Sequence, residues 1–334
     1  MELSETAINE EVSRLLKKLH PLDWTKSDCQ LIAPLTLEIN QLKKEKNAVI
    51  LAHSYQTPDI MYGVGDFLGD SYALSLKAKE TEADIIVFSS VHFMAETAKI
   101  LNPKKTVLVP KIAGCSLAEG ITAKDVRKLK AEHPNAGTVC YVNTTAEVKA
   151  EVDAVCTSGN ALKVIEAMPQ DEVIFVPDEF MAKNLQPLTK KKLIPWTARC
   201  IVHEEFSPET VKEIRTEFPK AKILAHSECS PSVIKEVDMM GSTKQMMDYV
   251  DTSEAEEFML ITECGLSDRI RTEHQDKKVV GSCALCPFMK KIELRDILEC
   301  LKDPKPEQII ELPEEVIKKA KKSIDKMVEI VEGS

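Results

Sequence analysis

The sequence predicts an α/β protein built from three internal repeats, with helices at both ends. Three observations lead there. A short apolar run closing on a cysteine occurs three times, in KKTVLVPKIAGC, KKLIPWTARC and KKVVGSCALC, and ends at Cys115, Cys200 and Cys286. These cysteines lie 85 and 86 residues apart, the mark of equal repeat units. Short buried-type strand runs, each followed by a helix-start signal, recur between them, as parallel sheets require.

Composition sets the outer bounds. A chain of 334 residues with 43% hydrophobic residues exceeds one ordinary core, so two or three domains are expected. The formal charge of −10 argues against general attraction to nucleic acid or to an anionic membrane. No apolar run is long enough to span a bilayer, and the start MELSETAINEE is acidic without a signal-type apolar core. Ten cysteines in such a chain point to reduced thiols or metal ligands and to a cytoplasmic protein.

Residues 1–45 are expected to be helical. Val12, Leu15, Leu16 and Leu19 share one helix face, Pro21 ends that helix, and a second helix runs from Ala33 to Lys44. Cys29 falls in a polar connection and reads as a surface or packing thiol. Repeat I, 46–120, opens on the strand Ala48–Ala52, with His53 and Tyr55 just past its end. Thr57-Pro58-Asp59 then reads as N-cap, first-turn proline and first-turn acid. Repeat II, 121–205, has the strand Val139–Asn143, bearing Tyr141 and Asn143, and then Thr144 and Glu147 as a capping box. Repeat III, 206–290, has the strand Lys222–His226, then Glu228, then a helix start at Ser230-Pro231. His53 and His226 thus fall at matching strand ends, each with a polar partner two residues on. Carboxyl ends of parallel strands are where such sheets bind ligands.

Each repeat next carries a hydroxyl at a helix start: Ser71, Ser158, and Ser242 with Thr243. One alone is ordinary N-capping. Three in register suggest sites for a substrate with several anionic groups. The second strands, Ile85–Phe88, Val173–Val176 and Phe258–Ile261, lead toward Glu96 and Glu263 as candidates for polar roles, with solvated or capping acids as the plain alternative. The third strands deliver the cysteines, all placed at or near helix starts, where the dipole favours thiolate. Ser116 and Glu119 read as a capping box after Cys115, and a helix opens at Pro287. Residues 291–334 are C-terminal helices broken at Asp303–Pro306.

Three thiolates in equivalent positions fit a [4Fe-4S] cluster whose fourth iron stays open as a Lewis acid. A closed zinc site takes four protein ligands, and Cys283 would be the fourth, although it has no counterpart in the other repeats. Cys283 is therefore expected not to be a ligand in the reduced protein, and the CxxC spacing allows a Cys283–Cys286 disulfide on oxidation. An open iron among histidine, tyrosine, glutamate and anion-binding hydroxyls describes a lyase or condensing enzyme better than an electron carrier. A hydro-lyase with a three-cysteine cluster and a non-enzymatic zinc-stabilised repeat protein stand beside it as alternatives.

The motifs AHSYQTPDI, GDSYALS, VHFMAETAKIL, AGCSLAE, YVNTTAEVKAEVDAVCTSGNA, CIVHEEF, HSEC, GSTKQM, TECG and CALCPFMK follow one another over 46–292. Together they resemble the quinolinate synthase (NadA-type) family. The resemblance implies three pseudo-symmetric α/β/α domains around one [4Fe-4S] cluster, and condensation of iminoaspartate with dihydroxyacetone phosphate to quinolinate, phosphate and water in NAD biosynthesis. It places the cluster on Cys115, Cys200 and Cys286. It places substrate contacts on His53, Ser71, Tyr141, Asn143, Ser158, His203, His226, Glu228, Ser242 and Thr243, and acid–base chemistry on Glu228, His53, Tyr55 and Tyr141. The enzyme that makes iminoaspartate is the protein partner it implies. This chain departs from the family's usual pattern at Ser89-Ser90, Ser227 and Ala198, none of them a proposed ligand or acid–base group.

Overall fold

The computed structural model describes residues 4–333. It contains three parallel four-stranded sheets. Sheet I has β1 (Ala48–His53), β2 (Phe67–Gly69), β3 (Ile85–Ser89) and β4 (Thr106–Leu108). Sheet II has β5 (Gly137–Tyr141), β6 (Ala154–Cys156), β7 (Glu172–Val176) and β8 (Lys192–Pro195). Sheet III has β9 (Lys222–His226), β10 (Met239–Gly241), β11 (Glu257–Ile261) and β12 (Lys278–Val279). The spatial order is the same in each: second, first, third, fourth strand. The chain therefore reverses direction across the sheet beside the first strand of every repeat, and such a switch point opens a crevice at the carboxyl edge.

The register repeats as closely as the order. His53 pairs with Gly69, Tyr141 with Cys156, and His226 with Gly241. Three aspartates hold these central strands, a repeat that the sequence reading missed. The Asp66, Asp153 and Asp238 carboxylates accept from the backbone N–H groups of Ile50, Thr138 and Ile223, each at 2.8 Å. Their own N–H groups donate back to the carbonyls of the same three residues, at 2.8 to 3.0 Å. Charge-assisted bonds of this kind are short and strong.

A second triplicate bond aims the cysteine loops. The N–H groups of His92, Glu179 and Cys264 donate to the carbonyls of Ala113, Ala198 and Ala284, at 2.8, 2.9 and 3.0 Å. Each alanine stands two residues before its cysteine. Ala198, a departure from the family pattern, makes the same bond as its two counterparts.

The apolar cores are shared unequally. One cluster runs from Leu51 and Phe88 of sheet I through Val139 and Phe175 of sheet II to Ile324 of the last helix, Glu314–Glu332. Sheet III has its own clusters, one on each face. No helix among the described residues is long and apolar enough to cross a membrane.

Several local expectations are corrected. The second N-terminal helix runs Lys26–Glu45, because Thr25 and Asp28 form a capping box and the burial of Cys29, Ala33, Thr36 and Ile39 along one face carries the helix through Pro34. Cys29 is therefore a buried packing thiol inside that helix. The helix Ala146–Lys149 is capped by Thr145, whose hydroxyl accepts from Val148 N at 3.4 Å. Thr144 instead bonds backward to the Tyr141 carbonyl at 3.1 Å. Ser116 forms no capping box: its hydroxyl donates to the Arg199 carbonyl at 3.0 Å and accepts from Ile201 N at 3.2 Å, tying the first cysteine loop to the second. The segment after Pro287 is one short 3-10 turn, Met289–Lys291.

Candidate active site

The carboxyl edges of the three sheets face one cavity. It is lined by His53, Tyr55, Ser71, Tyr141, Asn143, Ser158, His203, His226, Glu228, Thr243 and the three cysteines Cys115, Cys200 and Cys286. Of the cluster, substrate and acid–base residues that the resemblance implies, Ser242 alone lies outside that lining. Its hydroxyl accepts from Gln245 N at 3.2 Å, and the Gln245 side chain accepts from Ser242 N at 2.8 Å, so it is a capping-box residue. Measured from the three aspartates, Ser71, Ser158 and Thr243 each follow by five residues. Thr243, not Ser242, is thus the equivalent of the other two.

Asp70 caps the helix Ser71–Glu80, accepting from Ala73 N at 2.9 Å, which leaves the Ser71 hydroxyl one place inside the first turn. Its contact there is with the Met94 sulfur, at 3.8 Å. Ser158 does not stand at a helix start as expected, since the helix after it runs Ala161–Ala167, and it is half-buried at the cavity wall. The Asn143 amide oxygen is buried without a partner, and an unsatisfied buried acceptor calls for a water or a ligand.

The acid–base groups form one connected chain. Tyr141 OH donates to Glu228 Oε1 at 2.6 Å. His203 Nδ1 lies 2.9 Å from Glu228 Oε2 and 3.2 Å from Cys200 Sγ, while His203 Nε2 lies 2.9 Å from the Thr262 hydroxyl. Tyr55 OH lies 2.9 Å from Thr262 Oγ1 and 3.0 Å from Thr243 Oγ1. His203 and His226 stack with ring centroids 4.6 Å apart, and His53 meets Tyr55 edge to face at the same distance. All three repeats contribute to this chain.

Burial and charge set the protonation states. Burial pulls His53 down to about 3, helped by the positive charges of Arg269 and Lys290. Burial likewise pulls His226 down to about 4, against the opposing pull of Glu228. Burial alone would push the Glu228 carboxyl up. His226, His203 and the hydrogen bonds from His203 and Tyr141 outweigh it and hold the group well below the usual carboxylate range. Burial first, and then the Glu228 charge, raises the Tyr141 phenol well above its ordinary value, and burial does the same to Tyr55. Near neutral pH these states are an ionised glutamate, neutral histidines at 53 and 226, and protonated tyrosines.

Cys115, Cys200 and Cys286 are free thiols of intermediate exposure. Helix-start N–H groups favour thiolate at Cys115, as anticipated, yet burial outweighs them and pushes its thiol to about 12. Burial also raises Cys200 and Cys286. The Glu228 charge adds to this at Cys115 and Cys200, followed by Cys286 at the first and Cys115 at the second, whereas Lys290 opposes it at Cys286. Such an array is poor as three bare thiolates and suited to a cation that neutralises them. Cys200, His203 and Glu228 also present ligand atoms within 4.8 Å of one another.

The disulfide expectation is corrected. Cys283 pairs with Cys264, 19 residues earlier, and not with Cys286. Parallel pairing of the two segments sets this partner: Glu263 and Ala284 face each other across the ladder, bringing Cys264 beside Cys283. Cys283 is therefore not available as a fourth thiolate.

The two side acids have structural partners. Glu96 accepts from Ala146 N at 2.9 Å, joining repeat I to repeat II. Glu263 is fully buried, accepts from Cys286 N at 3.2 Å and pairs with Lys290 at 3.0 Å. Lys290 also donates to the Tyr55 carbonyl at 2.7 Å. Neither Lys290 nor Thr262 was singled out in the sequence. A hydroxyl just past the second strand, Ser90 in repeat I and Thr262 in repeat III, was the available signal for the latter.

The chain matches the family described as quinolinate synthetase A protein (NadA) over residues 37–329. It is 44% identical over 315 residues to quinolinate synthase of Caulobacter vibrioides, covering 93% of this chain and 84% of the relative. A quinolinate synthase of Xylella fastidiosa is 47% identical over 293 residues, covering 87% of this chain and 86% of that one. That of Agrobacterium fabrum is 42% identical over 333 residues, covering 98% and 94%.

Proposed function

The chain belongs to the quinolinate synthetase A family, and we propose from this that it condenses iminoaspartate with dihydroxyacetone phosphate, releasing phosphate and two waters to give quinolinate. The observation that carries the reading is the meeting of three free thiols, three in-register hydroxyls and the Glu228 chain in one cavity. The three thiols fit a [4Fe-4S] cluster: they come one from each repeat, they are unpaired, and burial disfavours all three as bare thiolates, which a bound cation would offset. When bound by Cys115, Cys200 and Cys286, such a cluster supplies Lewis acidity at an iron without a protein ligand.

The remaining work falls to this chain's side chains. Ser71, Ser158, Thr243 and Asn143 bind the phosphate and the two carboxylates, the first and third of them at helix starts where N–H groups favour anions. Glu228, held ionised, is the base that takes a proton from substrate. Tyr141, donating to Glu228 at 2.6 Å, orients that carboxylate and supplies a phenolic proton on the same face. His53 and His226, neutral near pH 7, offer hydrogen bonds to substrate without adding charge. An imine hydrolyses readily in water, so the enzyme that forms iminoaspartate is the natural partner.

The test is anaerobic purification, iron and sulfide analysis, and incubation with dihydroxyacetone phosphate and freshly generated iminoaspartate, following quinolinate by mass. Brown protein that forms quinolinate is expected. Cluster-replete protein that forms none defeats the reading.

A further inference from the structure

We propose that Lys149 is a positioning residue that holds Asn143 at the cavity wall through the carbonyl of Thr144. The inference rests on the activity proposed above, in which Asn143 binds substrate, and extends it to a residue outside the cavity lining. Lys149 ends the helix Ala146–Lys149 and is fully buried. Its ammonium donates to the Thr144 carbonyl and lies 5.3 Å from the centre of the Phe93 ring. Phe93 comes from repeat I and lines the cavity. Thr144 comes from repeat II and directly follows Asn143.

Asn143 stands at the tip of a three-residue turn just past β5. Thr144 N donates to the Val142 carbonyl at 2.8 Å, and Val142 N donates to the Cys156 carbonyl at 2.8 Å. The Thr144 hydroxyl reaches back to the Tyr141 carbonyl at 3.1 Å. These bonds fix the turn on the side of the Thr144 nitrogen and side chain. On its other side the Thr144 carbonyl is held by Lys149. Lys149 is itself anchored from behind: the Ser323 hydroxyl of the last helix donates to its carbonyl at 2.7 Å. A line of support thus runs from the last helix through Lys149 and Thr144 to Asn143. The Asn143 amide oxygen is buried without a partner, so the group at the end of that line is free for a ligand.

Lysine is an unfavourable residue for plain packing at this place. A buried ammonium loses its hydration, and one carbonyl and one ring face offset only part of that loss. Methionine fills a similar volume with no charge. What the ammonium adds is a charged donor, whose bond to a carbonyl is stronger than a neutral one. Without it the Thr144 carbonyl is buried and unpaired, and its peptide turns toward another donor. Thr144 moves with that peptide and carries the neighbouring Asn143 amide off its place at the wall. Lys149 touches no substrate. It determines where Asn143 presents its amide.

The experiment is a double-mutant cycle of Lys149→Met and Asn143→Ala, all proteins purified anaerobically beside the wild type. Iron content, kcat and KM, and the Kd for quinolinate by equilibrium titration are measured. We expect Lys149→Met to keep its iron and a kcat within about threefold, and to raise KM and the quinolinate Kd on the order of tenfold, the pattern of lost ground-state binding. Asn143→Ala should raise the Kd by a similar factor. The double variant should bind quinolinate within about threefold of Asn143→Ala alone, because the lysine acts through a side chain that is already gone. If Lys149→Met does not fold, Lys149→Leu takes its place in the same cycle. Wild-type affinity in the variant without the ammonium overturns the inference. So do losses that multiply in the double variant, or iron lost in step with affinity, either of which marks a merely structural lysine. A wild type that neither binds nor makes quinolinate strikes instead at the proposed function.

Discussion

Tyr141 and Glu228 show how one hydrogen bond sets two protonation states. The phenol donates at 2.6 Å, lowering the carboxyl and raising the phenol together. Glu228→Gln keeps the size and the three thiols but removes the ionisable group. It should retain iron and lose roughly 10² to 10⁴ in rate, the usual cost of removing an acid–base group, as read by quinolinate formation. Normal turnover in that variant would remove Glu228 from the chemistry while leaving the cluster ligands in place. Tyr141→Phe should lose less, roughly tenfold to a hundredfold, because the carboxylate keeps His203. Lys149 offers a residue-scale test outside the cavity lining. Its ammonium is fully buried over the Phe93 ring and bonded to the Thr144 carbonyl, and burial pulls it from 10.5 to about 8. Below pH 8 both folded and unfolded chains hold the proton, and the folded state carries the full cost. Between about 8 and 10.5 the unfolded chain binds the proton and the folded one does not, so stability rises with pH. Denaturant midpoints should show wild type gaining up to roughly 3 kcal/mol on Lys149→Met across that window. Parallel curves for the two proteins would contradict the buried-charge account.

At the scale of elements, the third cysteine loop is tied by more than its alanine carbonyl. Glu263 accepts from Cys286 N, and the Cys264–Cys283 disulfide closes a 19-residue loop around the same strand end. Closing a loop of that length stabilises by about 3 kcal/mol in the chain-entropy account. Cys283→Ser should therefore lower the thermal midpoint while keeping iron, because two hydrogen bonds still aim Cys286. Cys286→Ser should lose the iron. Equal iron loss in both variants would make Cys283 a ligand after all. The aspartate that latches each central strand predicts a further effect: Asp153→Ala strips the Thr138 N–H of its partner and should cost about 1–3 kcal/mol in a denaturation curve. These elements also show what a sequence makes legible. The strands and the three cysteines were readable because apolar runs and a rare residue type recur at nearly fixed intervals. The aspartate latch was equally periodic, in VGDFLGDS, EVDAVCTS and EVDMMGST, but aspartate before a strand is commonplace and was passed over. The partner of Cys283 was unreadable, since it depends on which strands lie side by side and not on spacing along the chain.

The whole molecule is threefold in backbone and twofold-plus-one in packing. Repeats I and II share one apolar core with the last helix, the other face of sheet I packs a second cluster with Ile39 and Ile297, and repeat III is filled mostly by clusters of its own. Polar contacts join repeat III to its neighbours: Asn184 donating to the Ser227 and Cys229 carbonyls, Tyr62 to Glu273, and the Arg271–Asp23 pair. Free energies of opening follow buried apolar contact, so native-state hydrogen exchange should find strands β9 to β11 opening below the energy of β1, β3, β5 and β7. Quinolinate should slow exchange most in repeat III, because a ligand in the cavity touches all three repeats. A single opening energy shared by all three sheets would contradict this division. Thr262 illustrates why the site was only partly legible: its hydrogen-bond neighbours lie 207 and 59 positions away in sequence and are brought together by the assembly of three repeats.

The bond from the segment after each repeat's third strand (β3, β7 and β11) to the alanine ahead of a cysteine has a mechanical consequence. A stool with three legs never rocks, whatever the lengths of its legs, because three points always define a plane. Four legs must be matched to one another. With His92, Glu179 and Cys264 each steadying one arm, a small change in any arm is met by a slight tilt of whatever the three tips hold. The third arm's sulfur staple therefore needs no matching staple in the other two.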